Sequence, residues 1–212
     1  RALANLGDLY VNEAFATCHR AHASIAGIPK FLPAYAGLRL VEEVTTLRRV
    51  IENPARPLVA IIGGAKVETK AAVVKHLARI ADQVLLGGKV ALAEELRGLP
   101  RVVFPRDDLE GKDIGPQTIE NYCQIISKAK TIVWSGPLGI FEEPRFERGT
   151  RAVVEAVVRS SAFVVAGGGD TLAALEKFGY RDKIGFVSTG GGAMLEFLGG
   201  RKLPGLDALD IG

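Results

Sequence analysis

Phe163-Val-Val-Ala-Gly-Gly-Gly-Asp-Thr-Leu-Ala-Ala-Leu175 is apolar for four residues, stops at three glycines and an acid, then resumes with helical spacing. It reads as strand, turn, helix. Phe163 to Ala166 is short and continuously apolar, as in a strand buried on both faces of a parallel sheet. Gly167, Gly168 and Gly169 lack a Cβ, so a ligand's phosphates can approach the backbone, and a helix start behind such a turn is an anion site. Asp170 stands where an N-cap would. A tight turn with an aspartate cap explains the stretch equally well when it is taken alone.

The other strand ends decide between these readings. Leu58-Val-Ala-Ile-Ile62 ends at Gly63-Gly64, and Gln83-Val-Leu-Leu86 ends at Gly87-Gly88. Thr131 to Trp134 runs into Ser135-Gly136-Pro137, and Ile184 to Val187 runs into Ser188-Thr-Gly-Gly-Gly192. Only Val102 to Phe104 lacks a terminal glycine. These runs predict an α/β fold, a doubly wound, six-stranded parallel Rossmann-like sheet with helices on both faces. Its glycine turns share the carboxyl edge, where ligands sit.

With 212 residues, 48% of them hydrophobic, the chain has material for one full α/β core. A net charge of +3, with acids and bases interspersed, gives no nucleic-acid stripe. Two distant cysteines, Cys18 and Cys123, suggest free thiols in a reducing compartment. The sequence shows neither an apolar run long enough for a membrane nor a signal-peptide pattern. The expectation is a soluble cytoplasmic protein without membrane partners. Arg1 in place of methionine hints at a fragment.

Asp8 to Asn12 resembles a strand, but no partner strand follows before Pro33. Leu40, Val44, Leu47 and Ile51 make one helical stripe. Asn53-Pro54 and Pro57 end that helix, which puts a boundary near residue 55. In Gly63-Gly-Ala-Lys-Val-Glu-Thr-Lys70 two lysines lie at helical spacing beside a helix start. A cation there opposes the helix dipole by roughly 0.3–1 kcal/mol, so an anion is expected to offset the pair; a solvated face is the alternative. Neither a Walker sequence nor a Gly-x-Gly-x-x-Gly fingerprint is present, which argues against P-loop NTPases and nicotinamide oxidoreductases.

Gly63-Gly-Ala-Lys-Val with Lys70, Trp134-Ser-Gly-Pro-Leu-Gly-Ile-Phe-Glu142, Gly167-Gly-Gly-Asp-Thr171 and Ser188-Thr-Gly-Gly-Gly-Ala193 resemble phosphoglycerate kinases, in order. Tyr10-Val-Asn-Glu-Ala-Phe and His19-Arg-Ala-His-Ala-Ser24 resemble the end of that family's first domain. The resemblance spans the chain. It implies a remnant of the 3-phosphoglycerate-binding domain at 1–34, an interdomain helix at 35–55, a nucleotide-binding domain at 56–198 and a C-terminal tail at 199–212. It also implies a glycolytic, monomeric, full-length kinase exchanging a phosphoryl group between ATP/ADP and 3-phosphoglycerate/1,3-bisphosphoglycerate. This chain would carry the nucleotide half, inactive alone, with an apolar surface where its first domain is cut.

By the same resemblance Lys66 and Lys70 are the catalytic lysines, Lys70 on the nucleotide phosphates. Asp170 orients Mg2+ on those phosphates, suiting an ion that keeps most of its waters. Gly63, Gly64, Gly87, Gly88, Pro137, Glu142, Gly167, Gly168, Gly169, Asp170 and Thr171 make the nucleotide site, with Glu142 on the ribose. Arg20 would touch 3-phosphoglycerate. Cys18, His19 and His22 suggest zinc, but no compact second pair completes four ligands. The segment from Val90 to Asp113 is shorter than the family norm, with room for one short helix and a strand. Lys112 stands where the family has an apolar residue against the base, Ser135 replaces an asparagine, and Thr69 an acid. A nucleotide-binding module without turnover is the alternative reading.

Overall fold

The computed structural model describes residues 1–211. In chain order the elements are β1 (Tyr10–Asn12), β2 (Ala34–Ala36), α1 (Leu38–Glu52), β3 (Leu58–Ile62), α2 (Val67–Ile80), β4 (Gln83–Leu86), β5 (Val102–Val103), β6 (Asp108–Leu109) and β7 (Asp113–Ile114). Then come α3 (Pro116–Ile126), β8 (Thr131–Ser135), α4 (Arg148–Arg159), β9 (Phe163–Gly167), α5 (Gly169–Lys177), β10 (Phe186–Ser188), α6 (Gly191–Leu198) and α7 (Pro204–Asp207). They form two compact units. One is Pro54–Ser188; the other joins Arg1–Asn53 to the chain from Thr189 onward. The expected interdomain helix is α1, and it belongs to the latter unit, as does the 189–198 stretch read as the end of the nucleotide domain.

The unit Pro54–Ser188 holds the predicted six-stranded parallel sheet, in the order β10-β9-β8-β3-β4-β5. The chain starts at β3, moves outward through β4 to β5, then returns to the far side of β3 and continues through β8, β9 and β10. The winding therefore reverses between β3 and β8. Every residue of β3 and of β8 is buried, which explains the apolar runs Leu58 to Ile62 and Ile132 to Trp134. Side chains of successive strand residues alternate between faces. Val59 and Ile61 join Tyr122, Ile126, Val153, Val154 and Leu175 from α3, α4 and α5 in one cluster. Leu58, Ala60 and Ile62 point the other way, and α2 buries Val73, Val74 and Leu77. Trp134 on β8 is fully buried, its indole N–H donating to the Gly136 carbonyl at 2.8 Å. No helix is long and apolar enough to cross a membrane among the described residues.

Between β4 and β7 the expected short helix is replaced by two 3₁₀ turns, Gly88–Leu92 and Glu94–Leu96, followed by the edge strand β5. Asp108 and Leu109 pair antiparallel with Ile114 and Asp113 in a small hairpin. The edge strand is anchored by Tyr122, whose hydroxyl lies 2.7 Å from the Leu86 carbonyl and 2.9 Å from that of Val103.

In the other unit, the strand expected to lack a partner has one. Tyr10, Val11 and Asn12 pair in parallel with Ala34, Tyr35 and Ala36. Ala-Tyr-Ala carries too little apolar pattern to announce a strand. The stripe of α1 is also covered: Leu40, Val44 and Leu47 are buried, and Gly190 of the α6 start lies so near Phe15 and Ala16 that a Cβ would meet the Ala16 Cα at 2.7 Å. Exposed apolar surface lies instead on Leu6, Leu9, Val11, Tyr35, Leu38 and Val41.

Candidate functional site

Lys70 occupies the reversal point of the sheet. It lies one turn into α2, is only 9% exposed, and donates from Nζ to the Gly63 carbonyl just beyond β3 and to the Ser135 carbonyl at the end of β8, the latter at 3.4 Å. In a doubly wound sheet this is where ligands bind. Burial pulls the Lys70 pKa down to about 8; Asp170 works against that shift and Lys66 with it. The three groups therefore share one electrostatic neighbourhood. Lys66 is exposed, at the N-cap position of α2, where it makes no side-chain capping bond.

The glycines let backbone segments close around this ammonium. Gly88 has a φ of +57°, and a Cβ on it would lie 2.8 Å from the Gly64 carbonyl oxygen, so the β4 turn can touch the β3 turn only as glycine. Gly168, at φ +103°, is the N-cap of α5 and supplies no side chain. Asp170 is not the cap that the sequence suggested. It is the second residue of α5, exposed, and the helix start carries no side-chain capping bond, so its carboxylate is committed to no backbone amide there. The Thr171 hydroxyl is held within the fold, accepting from the Gly136 amide at 2.7 Å and donating to the Gly167 carbonyl at 3.0 Å.

A cavity of about 270 Å³ opens over this ledge, lined by Gly64, Gly88, Pro137, Glu142 and Asp170 among the residues expected from sequence. Gly63, Gly87 and Gly167 are buried behind it. Ala65, Lys89 and Ile140 also line it. Of these, only Lys89 had a signal, its place directly after Gly87-Gly88. Lys112 lines the cavity too, with its ammonium 4.8 Å above the Phe146 ring. The loop bearing Glu142 is tied down by Lys177, which donates to the Phe141 carbonyl at 2.6 Å and pairs with Glu147 at 2.8 Å.

Arg20 belongs to the other unit and is exposed, its Nε donating to His19 Nε2 at 3.2 Å. That unit holds a polar cluster that sequence reading missed. The fully buried Glu43 accepts through Oε1 from the Thr189 amide at 2.7 Å and from its hydroxyl at 2.8 Å. Glu43 Oε2 has no partner among the described residues. The cluster stands beside the Gly190-Gly191-Gly192 start of α6. No cluster of three or more His, Cys, Asp or Glu side chains suited to a metal occurs among the described residues. The single exposed carboxylate of Asp170 beside the glycine ledge nevertheless fits Mg2+, which binds through one or two carboxylates plus ligand phosphates and water.

The phosphoglycerate kinase family profile matches residues 1–95 and 93–201. The phosphoglycerate kinase of Herpetosiphon aurantiacus is 40% identical over 258 residues, covering 98% of this chain and 66% of its own length; that of Dictyoglomus turgidum is 40% identical over 261, covering 99% and 66%. The solved phosphoglycerate kinase of Coxiella burnetii superposes with a TM-score of 0.87 at 37% identity, covering 98% of this chain and 67% of that one. The Pyrococcus horikoshii enzyme gives 0.87 at 34% identity, covering 99% and 65%. The chain thus spans about two thirds of the length of the relatives it matches. Those alignments run longer than its 212 residues and the profile match restarts at 93–95, so the relatives carry extra chain at that point. Profile, sequence identity and superposition agree, and the chain belongs to the phosphoglycerate kinase family.

Proposed function

We propose that this chain binds ADP or ATP on the ledge of the Pro54–Ser188 unit and serves as the nucleotide half of a phosphoryl transfer to 3-phosphoglycerate. The observation that carries the reading is Lys70, a buried ammonium at the reversal point of the sheet, grouped with Lys66 and Asp170. Phosphoryl transfer asks chiefly for positioning and positive charge. In the reaction the bond from the terminal phosphorus to the ADP oxygen breaks and one to the acceptor carboxylate oxygen forms, with no proton to move because the acceptor is ionised. Lys70 and Lys66 hold the phosphates, the free amides at the start of α5 add hydrogen bonds, Glu142 takes the ribose hydroxyls, and Arg20 faces the acceptor. Asp170 holds Mg2+, which supplies charge neutralisation on the phosphates. The setting is cytoplasmic glycolysis.

The chain alone binds nucleotide without turnover, because its relatives are half as long again and Arg20 is the single acceptor-side residue identified. Titration calorimetry with MgADP, together with a coupled assay on the 212-residue chain alone and with a separately expressed first domain, tests this. Nucleotide binding without activity, and activity on addition of the domain, are expected. Failure to bind MgADP would refute the nucleotide site; robust turnover by the chain alone would refute the half-enzyme reading.

A further inference from the structure

Beside the nucleotide cavity lies a second one, of about 160 Å³, and Gly88 and Gly111 line both. No side chain therefore stands at either shared residue. Ile114 and Leu138 form a buried floor, Phe104 one wall, and Leu92 the rim, where it is 64% exposed. Arg97, Asp108 and Asp113 also line it, so the apolar side chains form one side of a mixed pocket, whose volume is that of a single aromatic ring. The Arg97 guanidinium lies 5.5 Å over the Phe104 ring and pairs with Glu94 at 3.0 Å. Both partners are exposed, so the pair opens at little cost. Leu92 and Arg97 flank the point at which the relatives carry extra chain. The opening is thus a property of the shortened segment and not of the ledge itself.

The geometry points to an aromatic subsite continuous with the nucleotide cavity. It lets this chain take purine nucleotides bearing an aromatic substituent on the edge of the base, with the substituent packed between Leu92, Phe104, Ile114 and Leu138. The inference rests on the nucleotide reading above. Covering the exposed Leu92 and packing one ring on Phe104, Ile114 and Leu138 tightens binding about tenfold.

The test compares ADP with N6-benzyl-ADP by calorimetry on the 212-residue chain and on its Leu92→Trp variant, which fills the rim from an exposed position. The expected result is tenfold tighter binding of the benzyl nucleotide by the parent, an advantage lost in Leu92→Trp, and equal ADP affinity in both. ADP binding with equal or weaker binding of N6-benzyl-ADP overturns the subsite, as does an advantage that survives Leu92→Trp. If neither nucleotide binds, the nucleotide reading fails, and the subsite is judged on free N6-benzyladenine by methyl NMR. Shifts at Leu92, Ile114 and Leu138 would sustain it, and their absence would overturn it.

Discussion

Four helix starts in the Pro54–Ser188 unit divide into two pairs. The starts of α3 and α4 are satisfied by aspartates from elsewhere in the chain. Asp107 accepts from the Gln117 amide at 2.9 Å and from the Thr118 amide at 2.8 Å, and Asp113 accepts from the Gly149 amide at 2.7 Å. The starts of α2 and α5, both at the ledge, have no side-chain cap. Where only stability is at stake a carboxylate from elsewhere in the chain accepts from the helix-start amides. At the ledge Glu68 and Asp170 stand in the first turns of α2 and α5, yet no side chain caps either start and two lysines are added at α2, an arrangement that makes sense when the anion that takes the amides arrives as a ligand.

The largest effect that would break this contrast is at Lys70. Lys70→Ala is expected to weaken ATP about 100-fold and AMP hardly at all, since the lost charge faces the outer phosphates; equal losses in calorimetry would take Lys70 off the phosphates. The parent's ATP affinity is also expected to fall as pH rises through about 8, where Lys70 loses its proton. Because its folded pKa lies below the unfolded value, unfolding takes up a proton between about 8 and 10.4, and apo stability contributed by this group rises over that window. The slope should vanish in Lys70→Met.

Asp107→Ala tests the other side, and should cost about 1–2 kcal/mol in urea unfolding while leaving ADP affinity within twofold. A loss of nucleotide binding at matched folding would mean that the capped starts are functional as well. Asp170→Asn should reduce MgADP affinity about tenfold with an unchanged melting temperature, because the carboxylate makes no cap. Without the Asp170 charge the Lys70 pKa falls further, so the ATP affinity of that variant should decline at lower pH than the parent's. A pH-linked effect is expected at Asp113, whose pKa burial raises to about 6 despite the Gly149 and Ile114 amides. Its contribution is full below about 3.9 and is lost as pH rises through about 6. Relative to Asp113→Asn, the parent should therefore gain in melting temperature on going from pH 7 to pH 4.

The sheet and its ledge were legible because buried parallel strands write themselves as unbroken apolar runs and their turns as glycines. Phe163 to Gly167 and Leu58 to Gly64 need nothing else. Burial of Lys70 was not legible, since it depends on Ser135, 65 residues away, closing over the ammonium. Asp113 reaches an amide 36 residues distant, and β2 is visible only through its pairing with β1. Asp170 misled as a cap because an acid after glycines fits both roles in one dimension. The cavity lined by Leu92 and Arg97 lies where the relatives carry extra chain, and a shortened segment does not say what it uncovers.

Trp134 is the single tryptophan of the chain, and it lies wholly inside the Pro54–Ser188 unit. Indole emission is therefore blind to the other unit, while far-ultraviolet dichroism sees both. A melt followed by the two signals separates the optical history of one compact unit from the sum. Coincident curves would mean that the units melt as one cooperative block, and displaced curves that each has its own transition.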